Sequence, residues 1–329
     1  MSSRTASLSI PYCLMAFIGV FATFASINAA AQTFPARPIR MIIPFPPGGG
    51  NDIMGRFLAQ KMSERMGQPT IVDNRAGADG IIGTDFVARA APDGYTILIV
   101  SSSYTTNAAI HKLPYDPVKS LIPISQIGTG HIVVFAAPGL AANNAQELIA
   151  MTRTKPGGVR FASSGVGGLP HFNGELFNTM GGVKMIHVPY KGGAPSMQDV
   201  MTGLVEVGFG TLTQVLPLVR SGKLKVLGVG SPRRAAAMPD IPTIAESGIP
   251  GFDSTIWWGV LGPAGLPPAI LGRLNAEIGA SMKDPDMVKR LAAEAAEPVV
   301  ASPEAFARLI AVELERWARV AKETGIKAE

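Results

Sequence analysis

The chain has 329 residues, with 29 Lys and Arg against 24 Asp and Glu for a formal net charge of +5, and a single cysteine. One thiol, Cys13, excludes an internal disulfide or a thiolate metal cluster. The positive excess is small and scattered without any Lys/Arg run, which excludes the basic face of a nucleic-acid-binding protein.

In chain order, the first expected feature is an export signal. Arg4 precedes an uncharged, largely apolar stretch over 8–27, and Ala29 and Ala31 are the small residues of an A-x-A cleavage site. A cleavable signal over 1–31 follows, with Gln32 as first mature residue. The alternative is a short membrane anchor, which needs roughly 20 apolar residues; Pro11 interrupts this run and no basic stop-transfer cluster follows. "IPYC" is no lipobox, and Cys13 would leave with the signal, so cysteine catalysis is excluded as well. The rest is long enough to bury its own core, as two domains.

Strands are predicted at 39–45, 70–74, 95–100, 131–138, 159–164, 185–190, 205–210 and 224–230. Most are near-continuous Val/Ile/Leu runs, which suits sheets covered on both faces. Helical spacing fills the intervals: Met54, Leu58, Met62 and Met66 form an i+4 row with Ile53 and Phe57 beside it. Alternation of this kind indicates α/β architecture with substantially parallel strands. From Pro267 onward only helices are predicted, the last opening with Ser302 as N-cap and Pro303 in the first turn and closing at Gly325. "AAPGLAAN" and "GIPGFDS" are candidate joints.

Two glycine loops stand between a strand and a helix. "PFPPGGGND" lacks the Lys of a phosphate-binding loop, and Ile53 stands where a dinucleotide fingerprint needs its third glycine. Glycines before a helix starting near Asn51 or Asp52 would still leave free N–H groups for a small anion; the plainer alternative is a turn with Asp52 as N-cap. "FASSGVGGLPHF" repeats the arrangement, and neither Ser163 nor Ser164 sits in the G-x-S-x-G of a hydrolase elbow. His171 falls in the first turn after this loop, as a donor to ligand or a partly buried structural group. His111, His131 and His187 have no metal-binding spacing, and His187 reads as a core histidine. Asp52, Asp79, Asp85 and Asp93 are candidate helix caps. Trp257 and Trp258 are expected to pack, or to wall a pocket.

Taken together, "PARPIRMIIPFPPGGGNDIMGR", "GQPTIVDNRAGADGIIG", "APDGYTILI", "LPYDP", "FASSGVGGLPHFNGELF", "HVPYKGGAPSMQDVMTGLVEVGF" and "MPDIPTIAESGIPGFDSTIWWGVLGPAGLP" resemble the substrate-binding receptors of tripartite tricarboxylate transporters, the Bug receptors, over nearly the whole mature chain. The resemblance implies a two-domain periplasmic binding protein of flytrap form, with mixed sheets flanked by helices and a ligand cleft between the domains. It implies a discontinuous first domain over 32–127 and 253–329, a second over 128–252, and crossover strands between them. The ligand would be a small organic acid, a mono- or dicarboxylate, delivered to the membrane subunits of the transporter. A monomeric periplasmic receptor is expected, without cofactor, metal, nucleic-acid partner or catalysis. The alternatives are a sensor that presents its loaded form to a signalling partner, and a secreted α/β hydrolase.

On this resemblance the ligand carboxylate meets the first loop, Phe45, Pro46, Pro47, Gly48, Gly49, Gly50, Asn51 and Asp52, with Ser101, Ser102 and Ser103 beside it. The facing wall is Ser163, Ser164, Gly165, Gly167, Gly168 and His171, with Tyr190 and Lys191 of "VPYKGG", Gly210 and Thr211. Gly168 stands where relatives usually carry Ser or Thr, and Gly210 where they commonly carry Asp. Ser120 and Leu121 replace a common Asp-Phe pair. Missing polar partners disfavour an amino-acid ligand, and the space left by two glycines is expected to admit an aromatic acid.

Overall fold

The computed structural model describes residues 34–293 and 295–327. The expected signal over 1–31 lies outside them, and no helix among the described residues is long and apolar enough to cross a membrane.

Strand β1 (Ile39–Ile43) runs through the first glycine loop into α1 (Gly50–Met66), followed by β2 (Thr70–Asn74), a 3-10 turn at Ala78–Gly80, α2 (Ile81–Ala88), β3 (Thr96–Ser101) and α3 (Ser103–Ile110). The middle of the chain comprises β4 (Leu121–Ala136), α4 (Ala145–Thr154), β5 (Arg160–Ser163), α5 (Leu169–Gly181), β6 (Ile186–Pro189), α6 (Gly193–Met201), β7 (Val207–Thr211), α7 (Leu212–Arg220) and β8 (Lys225–Val229). It closes with β9 (Thr255–Pro263), α8 (Pro268–Met282), α9 (Pro285–Ala293), β10 (Ala296–Pro298) and α10 (Pro303–Thr324).

The strands form one mixed sheet in the order β2-β1-β3-β9-β4-β7-β5-β6, with β8 and β10 also pairing β4. Pairs β1/β2, β1/β3, β5/β6 and β5/β7 are parallel, as helical crossovers require. Strand β4 joins the two halves. Its residues Leu121–His131 run antiparallel to β9, while Ile132–Ala136 pair β7 and Val133–Ala136 pair β8.

The continuous apolar runs are buried as expected: Met41, Ile42 and Ile43 of β1 and Ile97, Leu98 and Ile99 of β3 have no exposed surface. Each such side chain contributes about 1.5–3 kcal/mol of burial. Met54, Leu58, Met62 and Met66 turn the inner face of α1 onto this sheet. Gly55 lets the helix come close, since a Cβ there would lie 2.6 Å from Ile43 Cδ1. Helix α1 ends at Gly67 in the left-handed conformation (φ 67°).

Seven predicted strands match within two residues at each end, and the run at 131–138 proves to be the end of a 16-residue strand. The first part of β4 and all of β9 were not expected. Glycine breaks their pattern, and the glycines are there because rings lie over them. A Cβ on Gly130 would be 2.7 Å from the Trp258 ring, and one on Gly259 would be 2.1 Å from the Phe306 ring. The all-helical reading of the C-terminal region is corrected by β10, which pairs antiparallel with Gly128–Gly130.

Helix α10 begins as predicted: the Ser302 hydroxyl accepts from Ala305 N–H at 3.2 Å, with Pro303 in the first turn and Gly325 (φ 73°) beyond the end. Ser302→Ala is expected to cost about 1 kcal/mol in a denaturant titration, and a loss below a few tenths would show that the cap contributes nothing.

Candidate functional site

Within each half of the sheet, parallel strands deliver their helix starts to one end, and the two sets run in opposite directions because β3/β9, β9/β4 and β4/β7 are each antiparallel. Helices α1, α3, α5, α6 and α7 follow β1, β3, β5, β6 and β7, and their first turns meet around one space. Their N-terminal N–H groups carry a partial positive charge. None of the five has a side-chain cap bond. By contrast α4 and α10 are capped by Asn144 and Ser302, while α2 and α8, also uncapped, begin elsewhere.

At this convergence is a small cavity of about 50 Å³. The first loop supplies Phe45, Pro46, Pro47, Gly49, Gly50 and Asn51, and the other predicted residues in its wall are Ser101, Ser103, Ser164 and Thr211. Pro170, within the expected second wall, Gly192, next to Lys191, and Trp258, expected to pack or to wall a pocket, also line it, and Gly193, Ala194, Gln214 and Ile256, which were not foreseen, complete it. No charged side chain lines it. Its polar groups are neutral, and some lack protein partners. Among the described residues the buried Trp258 indole N–H has no acceptor and Asn51 Oδ1 has no donor, while Asn51 Nδ2 donates to Ser101 Oγ at 3.3 Å. Buried polar groups are normally satisfied, so unpartnered groups on two residues of this wall suit a bound polar ligand.

A larger cavity of about 650 Å³ adjoins it and shares Phe45, Pro46, Ser164 and Gly192. The predicted residues Gly165, Tyr190 and Lys191 line this second space, together with Asp79 and His111. Tyr190 donates to Asp199 Oδ2 at 2.6 Å, whereas the Lys191 ammonium has no carboxylate partner among the described residues.

Several predicted residues line neither cavity. Gly48 donates its N–H to Asp52 Oδ2 at 2.9 Å. Asp52 is in the first turn of α1, not at its N-cap, which is Gly49. Burial pushes its carboxyl up, but bonds from Arg56, the Gly48 N–H and Asn74 outweigh this and hold it below the usual range. It locks the loop rather than touching the cavity. Ser102 accepts from Trp257 N–H at 3.0 Å, tying β3 to β9. Ser163 is buried against His187 Nε2 at 2.6 Å and accepts from Gly165 N–H.

His171 borders a separate space beside the end of α10 and stacks on His187 with ring centroids 3.8 Å apart. Burial, then neighbouring His111, pushes His171 down to about 4. Burial, then His171, pushes His187 down to about 3. Both rings are neutral packing groups at ordinary pH. No cluster among the described residues could hold a metal ion.

The second glycine loop differs most from expectation. It faces a carboxylate, but that carboxylate belongs to the chain. A Cβ on Gly168 would lie 2.8 Å from Asp79 Oδ2, and one on Gly165 would lie 3.4 Å from Asp79 Oδ1. Asp79 is not a helix cap; it adopts φ 47°, and neither carboxylate oxygen is exposed or has a hydrogen-bond partner among the described residues. Burial drives its carboxyl well above the usual range, against a smaller lowering influence of the nearby Asn107 and Ser103 side chains, which make no hydrogen bond to it within the usual geometry. Gly167 packs on Asn107 and His111, whose Nε2 meets Val166 O at 3.2 Å. Gly210 faces the Phe135 ring. The room beside Gly168 and Gly210 is thus filled by Asp79 and Phe135, so it adds none to the small cavity.

A mixed sheet that gathers helix N-termini around a cavity lined by uncharged residues is the architecture of a periplasmic solute-binding protein. It is similar to the periplasmic binding protein BugD, at 33% identity and a TM-score of 0.86 over 90% of this chain and 100% of that one. It is similar too to an R. palustris protein solved with adipate, at 33% identity and a TM-score of 0.87 over 89% of this chain and 99% of that one. In sequence it is 40% identical to Protein BugT of Bordetella pertussis over 95% of this chain and 98% of that protein. Residues 54–326 match the tripartite tricarboxylate transporter family receptor, and the chain belongs to that family.

Proposed function

We propose that this protein is a periplasmic receptor that captures a small carboxylate and delivers it to the membrane subunits of a tripartite tricarboxylate transporter, acting as a monomer and without catalysis. The observation that carries this reading is the small cavity, where five uncapped helix starts and the unpartnered Trp258 N–H surround a space with no charged side chain. Helix N-termini stabilise an anion without a counter-ion, and neutral donors bind it without leaving a buried cation when the site is empty. The adipate bound to an R. palustris relative supports the same ligand class.

The flytrap division follows with it: a first lobe of 32–127 and 253–329, and a second of 128–252, joined where β4 and β9 cross. Contacts such as Leu169 N–H to Ser103 Oγ at 3.3 Å would then bridge the lobes in the closed form. No wall residue of the small cavity is a carboxylate, histidine, lysine or cysteine, which favours binding over acid–base or nucleophilic chemistry.

Thermal melting with and without ligand tests the reading. Adipate, malate and other acids are compared with their neutral amides. A carboxylate at about a hundred times its dissociation constant stabilises the fold by about 2.7 kcal/mol, seen as a rise in Tm with the acids only. A response confined to neutral or cationic solutes would sink the proposal, and turnover of a bound acid would replace it with an enzyme.

A further inference from the structure

Gln214 occupies the third position of α7, yet its carboxamide is wedged between the starts of two other helices. Its Oε1 accepts from the Thr211 hydroxyl at 3.0 Å. Its Nε2 lies 3.4 Å from where a Gly49 Cβ would be, and 2.5 Å from where a Gly193 Cβ would be. Any residue at 193 would have to displace this amide. Gly193 does not have the positive φ that would otherwise require glycine, so its missing side chain makes room for Gln214.

Gln214 Nε2 has no acceptor among the described residues, although it lines the small cavity. It does not line the larger one, and the rim between the two is Phe45, Pro46, Ser164 and Gly192. The small cavity is therefore bounded on the Gln214 side and adjoins a larger space across these four residues. The smaller space is the narrower of the two and suits the carboxylate end of a ligand.

We infer that Gln214 is a specificity-determining residue: its carboxamide closes the carboxylate cavity and donates to the bound acid, so that the protein selects acids unbranched beside that carboxylate, with the remainder of the ligand directed over the rim into the larger cavity. The inference rests on the carboxylate reading of the site. Two physical effects act together. The amide volume excludes methyl groups on the carbon next to the carboxylate, and its N–H hydrogens add neutral donors where no cation is present. A methylene excluded or admitted in a pocket changes affinity by roughly 10–200-fold, so the effect is large enough to set ligand choice.

Calorimetric titration with succinate, 2,2,3,3-tetramethylsuccinate, glutarate and 2,2,4,4-tetramethylglutarate, each branched acid carrying methyls beside both carboxylates, tests this on the wild-type protein, Gln214→Ala and Gln214→Glu. Wild type should prefer the unbranched member of a bound pair. Gln214→Ala should cut that preference by about tenfold or more, through gain for the branched acid and loss for the unbranched one. Gln214→Glu keeps the shape but sets an anion beside the ligand, so it should weaken every acid by at least about tenfold. Alanine favours helix and the side chain is half-buried, so Gln214→Ala should fold, which circular dichroism confirms.

An unchanged branched-to-unbranched ratio in Gln214→Ala, with wild type binding normally, would overturn the role of Gln214 alone. A wild-type protein that binds none of these acids, nor any other carboxylate in the thermal screen, would overturn the carboxylate reading and this inference with it.

Discussion

Gly50→Val is expected to weaken carboxylate binding by at least about 100-fold, close to 2.7 kcal/mol at about 1.4 kcal/mol per decade. Gly50 is the first residue of α1 and lies in the cavity wall. A Cβ there would already meet Thr211 Oγ1 at 3.1 Å and Trp258 Cζ2 at 3.4 Å, and the two further methyls of valine have only the cavity to enter. They would also shield the helix N–H groups from an anion. Gly49→Ala provides the contrast, since its Cβ has 3.4 Å of clearance from Gln214 Nε2 and should cost far less affinity. Calorimetry with the strongest acid from the thermal screen measures both. Equal affinity of Gly50→Val and wild type would place the ligand elsewhere.

Asp79→Asn should raise stability at pH 8 relative to the wild-type protein, and the gain should vanish near pH 4, because only the aspartate must give up a stabilising proton between the two. The sign follows from the direction of the shift. Burial holds the Asp79 carboxyl above its usual range in the folded protein, so the folded state keeps a proton that the unfolded chain releases. This proton stabilises the fold fully below the ordinary aspartate value of about 3.9. The contribution is lost as pH rises through the folded-state value. Asparagine keeps the shape and accepts the left-handed backbone at this position, but never ionises. Melting curves of both proteins at pH 4 and pH 8 are the measurement. An equal difference at the two pH values would mean that the ionisation of Asp79 has no part in it.

Much of the first half of the site was legible because its information is local. In "IRMIIPFPPGGGND", an apolar strand, a run of glycines and an amphipathic helix follow in order, so the loop that ends β1 could be placed before any contact was known. Its failure to match a nucleotide motif was equally local. Ser101 and Ser103 follow the same logic after β3. Asp52 was recognised as part of the loop, but its role depended on Arg56 and Asn74. Asn74 is far along the chain and turns the carboxylate back onto Gly48.

The second half was harder to read. "FASSGVGGLPHF" looks like a twin of the first loop, and by local rules it is one. What distinguishes it is Asp79, which reaches its glycines from another loop altogether. Trp258 belongs to a strand whose pattern is broken by Gly259, and Gln214 carries no signal in "TLTQVLPL". "KGGAP" before α6 was the one available hint for the 192–194 wall, and Tyr190 and Lys191 drew attention to it.

The sequence by itself determined the α/β alternation and the glycine-opened helix starts, because each depends on residue type and short-range spacing. The tertiary structure decided which helix starts face the cavity, that Asp79 takes the second glycine loop, and that Trp258 and Gln214 complete the wall. Those outcomes depend on register across β4 and β9 and on which side chain reaches a gap first. Pairings between residues so distant along the chain leave no period to read.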